Sequence, residues 1–226
     1  MSEAALKKKF NVEIFKPEGT PTSITVFLPG TMLNLEDFSS TYETIVDQNQ
    51  IVIAFKSMNP FPIVGRSHQK MAEDVASVVK EFLEIEENSG FPSKYNIVGH
   101  SLGGKVCLMV AAKYDIENVK NIIALDPVDQ RPRELTAPRL SPRTNLGNSK
   151  AAEIHLFQSE KGGEGLVPMA PSESNASVVK ELYPDQITSI EINPGSNHMS
   201  YLDNKGDDAS VAAREVVHAK IREVIN

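Results

Sequence analysis

The sequence contains no tryptophan and only one cysteine, Cys107, among its 226 residues. A single cysteine excludes a disulfide within the chain and is typical of a reducing compartment. Acidic residues outnumber basic ones by 30 to 23, which argues against nucleic acid as a partner. No apolar run approaches the roughly 18 residues of a membrane span, and no cysteines and histidines have the spacing of a metal site. We therefore expect no membrane span, no metal and no cofactor.

The sequence does contain a regular alternation of strand-like and helix-like segments. Seven apolar, largely β-branched runs end in turn residues, at 11–15, 23–30, 50–55, 95–99, 121–127, 153–157 and 189–195. The clearest segments with helical periodicity are 35–48, 67–88, 102–115 and 207–225. Strands that are apolar throughout indicate a sheet buried on both faces. Their alternation with helices predicts right-handed crossovers and mostly parallel pairing.

We therefore predict one α/β domain over residues 1–226, with a mostly parallel, twisted sheet and helices on both faces. The first strand is also compatible with antiparallel pairing at an edge. In the last helix, Val217, Ile221, Val224 and Ile225 form one apolar stripe, which predicts docking on the sheet.

One segment interrupts this alternation. Residues 129–150 contain several prolines and the arginines Arg131, Arg133, Arg139 and Arg143, without helical or strand periodicity. A long irregular insertion is typical of a functional loop or of a plain surface loop. Because it follows a strand end directly, we expect it near the mouth of a pocket, where its arginines can attract an acidic group.

The stretch NIVGHSLGGKV, residues 96–106, fits two different chemistries. As Gly-x-Ser-x-Gly it is a nucleophile elbow, in which Ser101 stands on a tight turn between a strand and a helix. As Gly-x-x-x-x-Gly-Lys, from Gly99 to Lys105, it resembles a P-loop. A P-loop needs serine or threonine after its lysine to ligate magnesium, but position 106 is valine. The strand before the motif and the helix after it favour the elbow.

A serine hydroxyl needs a base to remove its proton, and the elbow fold places that base after the serine in the chain. His68 and His100 precede Ser101 and are set aside. His155 lies within a predicted strand and His218 within a predicted helix, so a structural role explains both. His198 lies in a loop directly after the last predicted strand and is the candidate base.

The base in turn needs a carboxylate to orient it. Asp126 ends the strand NIIALD, and functional residues of open α/β sheets cluster at the carboxyl ends of the strands. Asp126 is therefore the leading candidate, with Asp129, Glu160 and Glu164 as alternatives.

Two hydrogen-bond donors are expected to stabilise the negatively charged oxygen of a tetrahedral intermediate. The first is the backbone N–H of Leu102, immediately after the nucleophile. The second is expected from the loop VFLPGTMLN, with Thr31 as the leading donor and Met32 as the alternative.

With these residues assembled, the chain resembles the chlorophyllase branch of the α/β-hydrolases. The resemblance rests on GHSLGGK around Ser101, ALDPVD around Asp126 and NHMSYLD around His198, and extends to VFLPG near the start and to residues 163–175. It departs from the family at Pro29, where histidine is common, and at Leu102, where plant members carry arginine.

The resemblance implies a Ser101–Asp126–His198 triad and a substrate that is a carboxylic ester of a long hydrophobic alcohol, such as chlorophyll. A lipase, a thioesterase or a non-catalytic relic that binds a hydrophobic ligand is the alternative. A soluble intracellular protein is expected, in a plastid if a transit peptide has been removed and otherwise in the cytoplasm. The oligomeric state does not follow from the sequence.

Overall fold

Seven strands form one sheet in the computed structural model, which describes residues 1–58, 67–115, 117–128, 152–163 and 176–225. The strands are β1 (Val12–Phe15), β2 (Ser23–Leu28), β3 (Gln50–Phe55), β4 (Tyr95–His100), β5 (Val119–Leu125), β6 (Glu153–Ser159) and β7 (Ser189–Asn193). Each begins and ends close to one of the predicted runs.

The sheet has the order β1-β3-β2-β4-β5-β6-β7, and all neighbours pair in parallel except β1 and β3. The predicted mostly parallel sheet is confirmed, and the first strand is the antiparallel edge. The parallel strands align their carboxyl ends at one edge, so residues that follow β4, β5, β6 and β7 can meet there.

The described residues form six α-helices, of which the first precedes β1 and the last follows β7: α1 (Glu3–Phe10), α2 (Ser39–Val46), α3 (His68–Leu83), α4 (Leu102–Met109), α5 (Ala176–Leu182) and α6 (Asp208–Val224). Side-chain caps begin three of them, since Ser2, Ser67 and Asp207 each accept a backbone N–H from the first turn. None of the helices in these ranges is long and apolar enough to cross a membrane.

Helices cover both faces of the sheet, as predicted. One core cluster joins the sheet to α1, α3, α4 and α5, and the other joins it to α2 and α6. Every residue of β2, β3 and β4 is buried, which explains why these strands are apolar throughout. Val217, Ile221 and Ile225 are buried on the second face, so the stripe of the last helix docks as predicted.

The structure differs from the predicted helices in four places. The segment 35–48 is divided into a 3₁₀ turn (Leu35–Phe38) and α2, because the Asn34 N–H donates to the Asp37 carboxylate and Phe38 has non-helical torsion angles. The helix after the elbow ends in a π-helical turn, Val110–Tyr114. Helices α1 and α5 were not among the predicted segments.

A row of buried polar side chains crosses four strands near their amino ends. Thr25, Gln50 and Asn96 contact one another through hydrogen bonds of 3.2–3.4 Å. Asn121 donates to the Asn96 side-chain oxygen at 2.9 Å and to the Val224 carbonyl at 2.9 Å. The row therefore ties the sheet to the end of α6 in a region that excludes water.

Replacing Asn121 with alanine should lower the free energy of unfolding by about 1–3 kcal/mol, because the buried Asn96 oxygen and the partly buried Val224 carbonyl lose their donor. Urea unfolding followed by circular dichroism measures the change. The exposed Asn204→Ala serves as the matched control, with an expected change within about 0.5 kcal/mol. Equal stability of both variants would contradict a structural role for this row.

His68, the first residue of α3, is only 5% exposed. Burial, and then the positive charge of Lys105, lowers the pKa of His68 from 6.5 to about 4. The unfolded chain therefore takes up a proton near pH 6.5 that the folded chain takes up only near pH 4. Stability is lost progressively as the pH falls through this window.

We expect His68 to account for a loss of up to about 3 kcal/mol between pH 6.5 and pH 4. Urea unfolding of the wild type and of His68→Gln at several pH values measures this contribution. In His68→Gln only the other titratable groups lower the stability, so its free energy of unfolding should fall less than that of the wild type over the same pH range. An identical pH dependence for the two proteins would show that His68 does not cause the loss.

Candidate active site

Ser101 is the single residue between strand β4 and helix α4. Strand β4 ends at His100 and helix α4 begins at Leu102. Ser101 has φ 57° and ψ −116°, which is a strained conformation for a residue with a side chain. Hydrogen bonds fix it, since its N–H donates to the Leu125 carbonyl at 2.9 Å and its own carbonyl accepts from Val128 at 3.2 Å. This is the geometry of a nucleophile elbow.

Two glycines make this turn possible. A Cβ atom at Gly103 would lie 2.3 Å from the Leu28 carbonyl oxygen, and one at Gly99 would lie 2.6 Å from the Gly103 carbonyl carbon. Any side chain at either position would therefore push α4 away from β2 and β4. The glycine spacing in Gly-x-Ser-x-Gly follows from this close approach.

The same geometry does not fit the P-loop interpretation. A P-loop binds phosphate with several backbone N–H groups of a loop between strand and helix. Here Gly99 lies inside β4, Lys105 lies inside α4 and only one residue separates the two elements. Lys105 is moreover 1% exposed.

The three residues selected from the sequence lie in one hydrogen-bonded line. His198 Nε2 is 2.9 Å from Ser101 Oγ, and His198 Nδ1 is 2.6 Å from Asp126 Oδ2. Because a carboxylate only accepts, Nδ1 carries the proton and the bare Nε2 accepts from the Ser101 hydroxyl. Their exposed fractions are 8%, 3% and 0% for Ser101, His198 and Asp126, so little water competes for these hydrogen bonds.

Asp126 follows β5 and has φ 44°, which turns its carboxylate toward the site. Ser159, at the end of the neighbouring strand β6, donates its N–H to Asp126 Oδ1 at 3.2 Å and its hydroxyl to Oδ2 at 2.7 Å. Ser159 was not among the predicted site residues. Its only signal in the sequence is its place at the end of the strand that follows Asp126.

His198 lies on the loop between β7 and α6, and main-chain hydrogen bonds hold the loop on both sides. The His198 N–H donates to the Gly162 carbonyl at 2.6 Å, and its carbonyl lies 2.8 Å from His100 Nε2. His100, which the sequence analysis excluded as the catalytic base, is thus also part of the site. The contact fixes the backbone of His198 against the strand that carries Ser101.

The far side of this loop is attached to α2 and α6. Asp203 accepts hydrogen bonds from the Ser40 N–H at 2.8 Å and from the Ser40 hydroxyl. Arg214 donates to the carbonyls of Ser200 and Leu202 at 3.2 and 2.7 Å. The segment that carries His198 therefore has a defined position although it has no regular secondary structure.

The predicted oxyanion donors belong to α4 and to the loop after β2. Leu102 is the first residue of α4, where a backbone N–H has no acceptor within the helix. The Gly30 backbone adjoins the nucleophile, since a Cβ at Gly30 would lie 3.2 Å from Ser101 Cβ. The Met32 N–H donates to the Met58 carbonyl at 3.3 Å, so the geometry favours Thr31 over Met32 as the second donor.

The other residues considered from the sequence as acid, base or substrate-binding groups do not belong to this hydrogen-bonded line or lie outside the described residues. Glu160 is exposed and accepts from the Gly195 N–H at 2.7 Å. His155 bonds Ser189, and His218 lies near Ser40 and Thr41, which fits structural roles. Asp129, Glu164 and the insertion 129–150 with its four arginines lie outside the described residues. Within the described part of the chain, no three potential ligands are grouped as a metal site.

Comparisons with known proteins agree with this fold. The sequence profile of the α/β-hydrolase fold matches residues 61–167, which include the elbow and Asp126. The chain has the α/β-hydrolase fold.

A crystal structure with this fold is that of carboxyl esterase 2 from the mycorrhizal fungus Tuber melanosporum. It is similar to this α/β-hydrolase-fold protein with a TM-score of 0.70 and 14% sequence identity, over 95% of this chain and 81% of the esterase. At this identity the likeness concerns the fold. No curated protein matches the chain in sequence.

Proposed function

We propose that this α/β-hydrolase-fold protein is a serine carboxylesterase that uses Ser101, His198 and Asp126 as its catalytic triad. The hydrogen-bonded line from the serine hydroxyl to the buried carboxylate carries the proposal, with distances of 2.9 and 2.6 Å. The tautomer of His198 follows from the same contacts and is the one that a general base requires. The esterase with the same fold supports ester bonds as the target.

The reaction has two halves. Ser101 Oγ attacks the ester carbonyl carbon while its proton passes to His198 Nε2, and the resulting imidazolium is stabilised by Asp126. Collapse of the tetrahedral intermediate breaks the bond to the alcohol, which leaves with the proton from His198. Water then attacks the acyl-enzyme and gives a proton to His198. As the second tetrahedral intermediate collapses, His198 passes this proton to Ser101 Oγ and the acid is released.

The negative charge that develops on the carbonyl oxygen needs donors that already point at it. We assign this role to the N–H groups of Leu102, which follows Ser101, and of Thr31, which follows Gly30 in the loop that adjoins Ser101. Removal of one such donor typically costs about 10²- to 10³-fold in kcat. Leu102 supplies its backbone whatever its side chain, so the departure from the arginine of plant chlorophyllases does not affect this role.

A lipophilic ester is the substrate class that the surroundings of the site support best. Met32 lies two residues after Gly30, whose backbone adjoins Ser101, and its side chain is 73% exposed. An exposed apolar side chain on the loop that adjoins the nucleophile is available to contact a hydrophobic acyl or alcohol chain. The resemblance to chlorophyllases makes chlorophyll a specific candidate within this class.

A substrate panel tests the proposal. Nitrophenyl acetate, nitrophenyl octanoate, chlorophyll, tributyrin and an acyl-coenzyme A thioester are compared by kcat/KM, with Ser101→Ala as the background for each. The proposal predicts Ser101-dependent turnover of the esters with a preference for lipophilic ones. A higher kcat/KM for the thioester would indicate a thioesterase, and no Ser101-dependent turnover of any substrate would indicate a non-catalytic ligand binder.

The contribution of Met32 can be measured in the same panel. Met32 has φ 59°, so Met32→Asn removes the apolar side chain while keeping a residue that tolerates this conformation. We expect a rise in KM for nitrophenyl octanoate of about 3- to 10-fold and little change for nitrophenyl acetate. Ile192→Asn, at another exposed apolar residue (54% exposed), is the matched control. Equal effects of the two variants would show that Met32 does not contact the substrate.

A further inference from the structure

His100, the last residue of β4, is in contact with His198, the proposed catalytic base. Its side chain is 0% exposed, and its Nε2 lies 2.8 Å from the carbonyl oxygen of His198. The two imidazole rings are 4.6 Å apart between centroids, with an angle of 31° between their planes. One residue thus contacts both the main chain and the ring of His198, and it precedes Ser101 in the chain.

The contacts of His100 define its protonation. A carbonyl oxygen only accepts hydrogen bonds, so Nε2 carries a proton. Burial lowers the pKa of His100 well below its ordinary value, and the charge of His198 acts in the same direction. His100 is therefore neutral, and Nδ1 is bare.

The bare Nδ1 atom is itself unusual. It is buried and has no hydrogen-bond partner among the described residues. It faces the loop after β2, because a Cβ at Gly30 would lie 2.8 Å from this nitrogen. Leaving a buried acceptor without a donor costs free energy. An apolar residue of similar size would avoid this cost, so packing alone does not explain an imidazole here.

We propose that His100 is a positioning residue for His198 in the proposed ester hydrolysis, and this inference rests on the proposed function. Its Nε2–H holds the backbone of a base that belongs to a loop, and its ring limits the tilt of the base between Ser101 and Asp126. Because His100 stays neutral, it adds no positive charge beside the imidazolium that forms during catalysis. His100 does not touch the reacting atoms.

Two substitutions, His100→Gln and His100→Met, distinguish a positioning role of His100 from a role in packing alone. The amide nitrogen of glutamine has about the reach of Nε2 and can donate to the His198 carbonyl, whereas methionine fills similar space without a donor. The matched control is His155→Gln, at a buried strand histidine that bonds Ser189 away from the site.

The experiment uses the full chain and two readouts. Steady-state kinetics with nitrophenyl acetate give kcat and KM, and one-dimensional proton NMR detects the His198 Nδ1–H in its short hydrogen bond to Asp126 as a far-downfield resonance. We expect His100→Met to lower kcat about 10- to 100-fold with KM within about twofold, and to shift or broaden the resonance. His100→Gln should recover most of both, and His155→Gln should match the wild type.

A folded His100→Met variant with wild-type kcat and resonance would overturn the inference, as would a His100→Gln variant no better than His100→Met. If His100→Met does not fold, imidazole ¹⁵N NMR spectra of the wild type test the inference instead, because they report the protonation state and tautomer of His100. The inference requires a neutral His100 with the proton on Nε2 at neutral pH, and any other form overturns it. Failure of the proposed function is distinguishable, because the wild type would then hydrolyse no ester.

Discussion

Replacing Ser101 with alanine is expected to lower kcat for ester hydrolysis by about 10⁴- to 10⁶-fold. The Ser101 hydroxyl is the group that we propose to form the acyl-enzyme, and it forms the first link of the line to His198. Without this hydroxyl, only substrate binding and the oxyanion donors remain to accelerate the reaction. Steady-state kinetics with nitrophenyl acetate measure the effect.

Circular dichroism and thermal unfolding should show that this variant retains the fold, because the backbone hydrogen bonds of Ser101 do not involve its side chain. Ser93→Ala, at an exposed loop serine, is the control and should hydrolyse the ester at the wild-type rate. A Ser101→Ala protein that keeps more than about one per cent of the wild-type kcat would refute the assignment of the nucleophile.

The second large effect is expected for Asp126→Asn, with a fall in kcat of about 10³- to 10⁴-fold. The Ser159 N–H donates to Asp126 Oδ1 and can bond only an acceptor, so the amide oxygen of asparagine takes this position. The amide nitrogen then faces His198 Nδ1 and donates to it. The imidazole must therefore carry its proton on Nε2, where it can no longer accept a proton from Ser101.

Glu160→Gln is the matched control, since Glu160 is another carboxylate at this edge of the sheet and was an alternative for the acid. It should leave kcat within about twofold of the wild type, because its partner is the Gly195 N–H and not His198. The same kinetic assay measures both variants. A large loss in Glu160→Gln together with a small one in Asp126→Asn would reverse the assignment.

The sequence predicts the sheet well because its signals are local. Each of the seven strands is a short run with turn residues after it, and the burial of every residue of β2, β3 and β4 makes these three strands apolar throughout. The boundaries of the helices depend on finer contacts. The division of 35–48 needs the Asp37 carboxylate to bond the Asn34 N–H, and α1 depends on a serine cap at position 2.

The candidate site is predictable where it depends on chain order and on strand ends. Ser101 follows from the glycine spacing, His198 from its loop and Asp126 from the end of a strand. Ser159 and His100 do not follow, because their contacts depend on how distant segments pack: Ser159 needs the pairing of β5 with β6, and His100 needs the loop after β7 to return to the end of β4. Ser159 meets Asp126 only because β6 pairs with β5 in the register that places Phe157 opposite Leu125.

The choice between Thr31 and Met32 also needs a contact that the sequence does not contain. The Met32 N–H is engaged by the Met58 carbonyl, from a segment beyond β3. Local patterns indicate the loop but not which of its amides is free to meet a substrate.

The most direct test of the central claim is covalent labelling with a fluorophosphonate, which reacts with a serine only when a base activates its hydroxyl. Intact mass and peptide mapping should show one adduct per chain, on Ser101, and labelling should disappear in His198→Ala although Ser101 is still present. A folded wild-type protein that remains unlabelled, or that is labelled equally well without the imidazole of His198, would contradict the account.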